Sequence, residues 1–182
     1  MRMFTGEYET IMLSAASVSR DSSDAVQQAS SAMSLTGRLT DLAFTLPFYG
    51  GGELKLSLSG SGIEPSDLWH CMDALKRLTM LPPNWDSYGA KPVTRATAKR
   101  ALPTLANVVS NRIPLPAIVP MHQGGLQLEW HSDRADIELV FPSVGEPSYS
   151  FADHEGGEEG EGRGTLESAR ILELLGLAGS RA

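Results

Sequence analysis

The sequence predicts an α+β protein: an antiparallel β-meander of about four to six strands with two or three helices packed on one face. Three observations carry this. Leucines alternate with polar residues at positions 54–58, and apolar residues recur at helical spacing from Leu68 to Leu78. From residue 126 onward the apolar period is again two, with Leu126, Leu128 and Trp130 followed by Ile137, Leu139 and Phe141.

The first predicted strand is Leu42–Leu46, and the second carries Leu54, Leu56 and Leu58 on one side with Lys55, Ser57 and Ser59 on the other. Gly50, Gly51 and Gly52 supply the bend between them. Ser66 is a suitable N-cap for a helix whose stripe is Leu68, Cys71, Met72, Leu75 and Leu78, and which Pro82-Pro83 ends. A second helix starts at Thr94, with Ala98, Ala101, Leu102, Leu105, Val108 and Val109 on one stripe; Pro103 should kink it. A strand near Ala117–Met121 then turns at Gly124-Gly125 into the strand ending at Trp130 and His131. Ser132-Asp133-Arg134 turns that strand into the Ile137–Phe141 strand, and Tyr149 with Phe151 offers one more.

The expected organisation has four parts. Residues 1–39 form a partly flexible N-terminal extension, because 14–34 are dominated by Ser, Ala, Asp and Gln and hold few large apolar groups to repay ordering. Residues 40–152 form the core domain. Residues 153–164 place five carboxylates among five glycines and are expected to be mobile. Residues 165–182 form a short helix and tail, with Thr165 as the cap and Leu166, Ala169, Leu172 and Leu175 as the apolar face.

Of 182 residues, 41% are apolar, with 15 basic and 22 acidic side chains, which suits one ordinary domain. No apolar run is long enough for a membrane span, and Glu7 and Glu9 fall where a signal peptide needs its apolar core, so the expected location is the cytoplasm. A lone cysteine, Cys71, excludes an internal disulfide and a cysteine-ligated zinc site. Residues 1–60, 61–120 and 121–182 carry charges of −2, +3 and −8, so the net charge of −7 disfavours nucleic acid. No nucleophile elbow, Walker loop or dinucleotide fingerprint is present, and Cys71 lies on an apolar stripe where a thiol is inert.

The segment Leu81-Pro82-Pro83-Asn84-Trp85-Asp86-Ser87-Tyr88-Gly89-Ala90-Lys91-Pro92, followed by Gly124-Gly125-Leu126-Gln127-Leu128-Glu129-Trp130, resembles a family of small bacterial proteins that share NWDxYGA and GGxQLEW motifs. The resemblance spans roughly residues 42–162. Members tend to have an acidic residue at the position of Thr97 and no proline at that of Pro103. It implies no established activity; such genes look like accessory genes of bacteria and mobile elements.

Three groups of residues are candidates for function. In the first motif, Trp85 is expected to plug the junction of helices and sheet, Asn84 or Asp86 to accept from orphan backbone N–H groups, and Gly89 to tolerate positive φ. Gly124, Gly125, Glu129 and Trp130 are the second motif's structural residues. Glu129 and His131 share one strand face with Gln127, where a carboxylate could raise a histidine pKa or share a metal. Lys91, Arg95, Lys99 and Arg100 could form a basic ridge along the second helix, either binding an anionic partner or paired internally with the acidic stretch 155–161.

The expectation is a non-enzymatic protein that binds another macromolecule, foremost a protein, as an accessory, antitoxin-like or defence-related factor. No cofactor or metal is expected. One alternative is a metal-assisted hydrolase using Asp86, Glu129 and His131, which requires those groups to converge. The other is a nucleic-acid binder using the basic ridge.

Overall fold

A computed structural model describes residues 8–14, 40–60 and 65–177. The stretch 14–34, on which the expectation of a partly flexible N-terminal extension rests, lies almost wholly outside the described residues. The elements among the described residues form two sheets and three helices, the α+β arrangement read from the sequence.

The smaller sheet has the order β1-β3-β2, with β1 Tyr8–Ser14, β2 Thr40–Pro47 and β3 Glu53–Gly60. Strands β2 and β3 are an antiparallel hairpin, and β1 runs parallel to β3. Residues 8–14 of the N-terminal extension therefore pair with the central strand of this sheet. Leu54, Leu56 and Leu58 are buried while Lys55 is exposed, as their alternation requires. The hairpin turns through three glycines with positive φ, closed by the Phe48 amide donating to Gly52 O at 3.1 Å.

Helix α1 spans Pro65–Thr79, starting one residue before the expected cap, Ser66. Proline suits the first helical position because its missing N–H has no partner there to lose. Leu68, Cys71, Met72 and Leu75 are buried. At the other end, Thr79 Oγ1 donates to Pro47 O at 2.7 Å and the Tyr49 amide donates to Thr79 O at 2.8 Å, pinning α1 to the end of β2. Helix α2, Arg95–Ser110, begins at the expected cap: Thr94 Oγ1 accepts from the Thr97 amide at 3.1 Å. It continues through Pro103. All six residues of the expected stripe are buried.

The larger sheet is a five-stranded antiparallel meander in sequence order: β4 Ala117–Pro120, β5 Leu126–His131, β6 Ala135–Phe141, β7 Ser148–Asp153 and β8 Glu159–Arg163. One face carries Leu126, Leu128, Trp130, Ile137, Leu139 and Phe141, all buried, each apolar side chain so removed from water contributing roughly 1.5–3 kcal/mol. Helices α1 and α2 contact both sheets and each other, so one core joins the layers.

Within residues 153–164, the stretch expected to be mobile, Glu159–Arg163 form strand β8. Across the β7–β8 pair, Phe151 stands opposite Gly160 and Tyr149 opposite Gly162. A Cβ on Gly160 would come within 2.5 Å of the Phe151 ring, and one on Gly162 within 2.6 Å of Tyr149. The glycines thus make room for aromatic rings lying over the strand, which compensates for their backbone entropy. The turn before β8 is closed by Asp153, whose carboxylate accepts the amides of Glu155 and Gly156 at 3.0 and 2.9 Å. The Gly156 amide foremost, against the effect of burial, and then the Glu155 amide hold that carboxyl below its usual pKa.

Helix α3, Ser168–Leu174, also departs from the sequence reading. Its N-cap is Glu167 rather than Thr165, and its buried face is Ile171 and Leu174, with Leu166, Leu172 and Leu175 half-buried at the margin. Arg170 lies 5.0 Å over the Phe151 ring and pairs with Glu158 at 2.7 Å and Glu173 at 2.9 Å, fixing α3 to β7 and the β8 turn.

Candidate functional site

The Pro82–Thr94 connection between α1 and α2 is built on its own polar side chains. Asn84 and Ser87 hold φ values of 63° and 66°, and Gly89 one of 90°. The Asn84 Oδ1 accepts the Gly89 amide at 2.7 Å, while the Asn84 amide donates to Ala90 O at 2.7 Å. Asp86 Oδ1 accepts the amides of Tyr88 and Ala90 at 2.8 and 3.0 Å. Its other oxygen meets His122 Nδ1 at 2.8 Å. Burial works to raise the Asp86 pKa, but the Tyr88 amide, the His122 ring and the Ala90 amide outweigh it and hold the carboxyl below its usual range.

The connection is also docked onto the glycine turn of the second motif. The Lys91 amide donates to His122 O at 2.8 Å, and Gly124 O accepts from the Thr94 amide at 3.2 Å and from Thr97 Oγ1 at 3.1 Å. A Cβ on Gly124 would lie 2.6 Å from Pro92 O, and one on Gly125 2.8 Å from Phe141 O, so both glycines are where backbones meet. The two tryptophans differ. Trp130 is buried and donates from Nε1 to Pro114 O at 2.6 Å, whereas Trp85 is half-buried and reaches Lys91 O at 3.3 Å. Tyr88, between these anchored residues, is 86% exposed.

The outer face of the larger sheet carries the second candidate. His131 ends β5; its Nδ1 faces Asp136 Oδ1 at 2.8 Å and its Nε2 faces Glu129 Oε2 at 3.3 Å. Asp136 Oδ2 also meets His154 Nε2 at 3.1 Å. Hydrogen bonds that the ring donates to Asp136 and then to Glu129 raise the His131 pKa, and His131 is the largest influence lowering that of Asp136. Beside this chain, Asp136, Glu138, Ser150, Glu159 and Glu161 line a groove of ~410 Å³ across β6, β7 and β8.

Glu129 and His131 are therefore brought together, but Asp86 takes a different imidazole, that of His122. Among the described residues no three His, Cys, Asp or Glu side chains are placed to hold a metal ion. Both ring nitrogens of His131 face carboxylates, which leaves that ring no idle nitrogen to accept a substrate proton. Asp136 and His154 were not singled out by sequence reasoning. The register sets His131 directly opposite Asp136, one position beyond Ala135, which a three-residue turn at 132–134 would have put there.

The basic ridge is largely engaged inside the molecule. Arg95 Nη2 donates to Glu53 O at 2.7 Å, joining α2 to β3, and Arg100 donates to the carbonyls of Pro142 and Gly145 in the β6–β7 connection. Lys91 precedes the helix, and Lys99 lies on it between the two arginines. The acidic stretch pairs elsewhere: Glu155 with Arg134 at 2.6 Å and Glu158 with Arg170. Cys71 is buried, and burial, then the nearby Asp67, push its thiol up to about 11. No helix among the described residues is long and apolar enough to cross a membrane.

Comparison with protein-family models, with curated proteins and with solved structures gave no match.

Proposed function

We propose that this chain is a non-enzymatic protein-binding factor of accessory, antitoxin-like or defence-related kind, acting in the cytoplasm, and that the Trp85–Tyr88 loop is its principal contact. The observation that carries this is Tyr88, 86% exposed at the centre of a connection otherwise tied down at almost every residue. Left-handed backbone at non-glycine positions such as Asn84 and Ser87 costs of order 1–3 kcal/mol each, and such cost persists where surrounding structure over-determines it. Here the result is a large aromatic side chain held away from the core on a pre-organised support. Exposed tyrosines on rigid supports are the residues that anchor protein interfaces, because they bury much area at little entropic cost.

The two alternatives draw less from the geometry. A hydrolase needs Asp86 beside Glu129 and His131, and these groups take separate partners. A nucleic-acid binder needs the guanidiniums of Arg95 and Arg100, which donate to backbone carbonyls.

The test is co-purification of the tagged chain at native expression, alongside a Tyr88→Ala variant, with thermal melts of both. A stoichiometric protein partner retained by the parent and lost at least tenfold by the variant, at unchanged melting temperature, supports the reading. No such partner, or one held equally by the variant, overturns it.

A further inference from the structure

We propose that His131 is a proton-operated staple: its charged ring holds Asp136 across the β5–β6 end and Glu129 on its own strand, and as the pH rises it releases Glu129, leaving the Glu129–Glu138 pair between β5 and β6 without its cation. The argument is one of donors and acceptors. An ionised carboxylate only accepts, so a ring nitrogen facing one must carry a proton to bond it. His131 faces a carboxylate with each nitrogen, Asp136 at 2.8 Å and Glu129 at 3.3 Å, and both bonds exist together only in the imidazolium. A neutral ring has one N–H. It can keep the shorter bond to Asp136, but its other nitrogen then sets a lone pair against the Glu129 oxygen.

The staple sits where strand ends would otherwise fray. His131 is the last residue of β5, Asp136 the second of β6, and His154 the first residue after β7. Asp136 bridges the two rings through its separate oxygens, and His154 Nδ1 also faces Asp133 O at 3.4 Å. The other charges around the cluster are Glu138, opposite Glu129, and Glu159, in register with Ala152, whose β6 partner is Asp136; on the turn side, Arg134 pairs with Glu155. The cross-strand pair of Glu129 and Glu138 sets like charges face to face, which destabilises a sheet unless a cation lies beside it. Charged His131 supplies that cation.

The sign follows. A histidine whose pKa is raised on folding contributes stability that is full below its unfolded value, ordinarily 6.5, and is lost as pH climbs through the higher folded value. Losing the proton also makes the adjoining groove more negative by one charge, so the loosening of the strand ends and the change in surface potential occur in one step.

The experiment is an NMR titration of the His131 ring in the full chain, with Asp136→Asn and Glu129→Gln variants, read together with amide protection factors at Ser132 and His154. Those amides donate to Ala135 O at 3.1 Å and Arg134 O at 2.7 Å, across the stapled end. The expected result is a His131 midpoint above that of ordinary histidine which drops toward it in each variant. Protection at the two amides should fall several-fold as pH rises through that midpoint in the parent and stay level in His131→Gln. A midpoint at the ordinary value, one that neither variant moves, or protection factors indifferent to pH in the parent overturns the proposal.

Discussion

The carboxylate of Asp86 holds the imidazole of His122 at 2.8 Å across 36 residues of sequence, and this contact bolts the helix–helix connection to the turn that opens β5. Because the folded chain holds the Asp86 carboxyl below its usual range, its contribution to stability is complete above the unfolded value, near 3.8, and is lost as pH falls through the lower folded value. Replacing Asp86 by Asn should therefore lower the melting temperature at neutral pH and narrow the gap to the parent in acid. Melts recorded from pH 7 down to pH 3 check this. A gap that widens on acidification contradicts the assignment.

The two tryptophans should differ in what they hold up. Trp130→Phe removes the N–H that a buried ring donates to Pro114 O, and losing such a hydrogen bond costs about 0.5–1.5 kcal/mol on top of the change in a close-packed site. Trp85→Phe removes a longer bond to Lys91 O from a half-buried ring, where water can replace it. Urea unfolding of both variants should place Trp130→Phe clearly lower. Equal midpoints would mean that the indole N–H of Trp130 carries no special burden.

Which parts of this architecture were readable in advance depended on whether the governing interaction was local. The alternation at Leu54–Leu58 and Leu126–Trp130, the stripe of α2 and its Thr94 cap are each set by residues within a few positions, and each is found where the pattern placed it. Strand β8 was hidden because what orders EGEGR is a pair of rings, Tyr149 and Phe151, contributed by the neighbouring strand. The α3 face was misplaced for a similar reason: Arg170 fixes the helix over Phe151, and this turns Ile171 and Leu174 inward. In the candidate site, Glu129 and His131 were visible through their shared face, whereas the pairing of Asp86 with His122 joins two loops whose approach no local pattern encodes.

The glycines of β8 offer a direct test of the ring-over-glycine arrangement. Gly160→Ala would bring a methyl group within 2.5 Å of the Phe151 ring, and the ring must shift off the strand, disturbing its contact with Arg170. Overpacking of this kind costs about 1–3 kcal/mol. Gly157→Ala is the informative control, since its Cβ would meet nothing and only its φ of 68° opposes the change. Chemical denaturation should rank Gly160→Ala below Gly157→Ala, with near-ultraviolet dichroism reporting the displaced ring; the reverse order would deny the stacking its role.

Cys71 should be silent toward thiol reagents until the fold opens. It sits on the inner stripe of α1 with 3% exposure, and burial, reinforced by Asp67, carries its pKa to about 11. At pH 8 a group with that pKa is thiolate in roughly one molecule in a thousand, against about one in four for an ordinary cysteine near 8.5. Reaction further demands that the reagent reach a sulfur packed within the core. Labelling of the native chain by a disulfide-exchange reagent should thus be at least a hundredfold slower than labelling in denaturant, and its rate should rise with added urea as opening becomes easier. Rapid labelling of the native chain without urea dependence would place the thiol at the surface, and would force a different packing of α1 against β2.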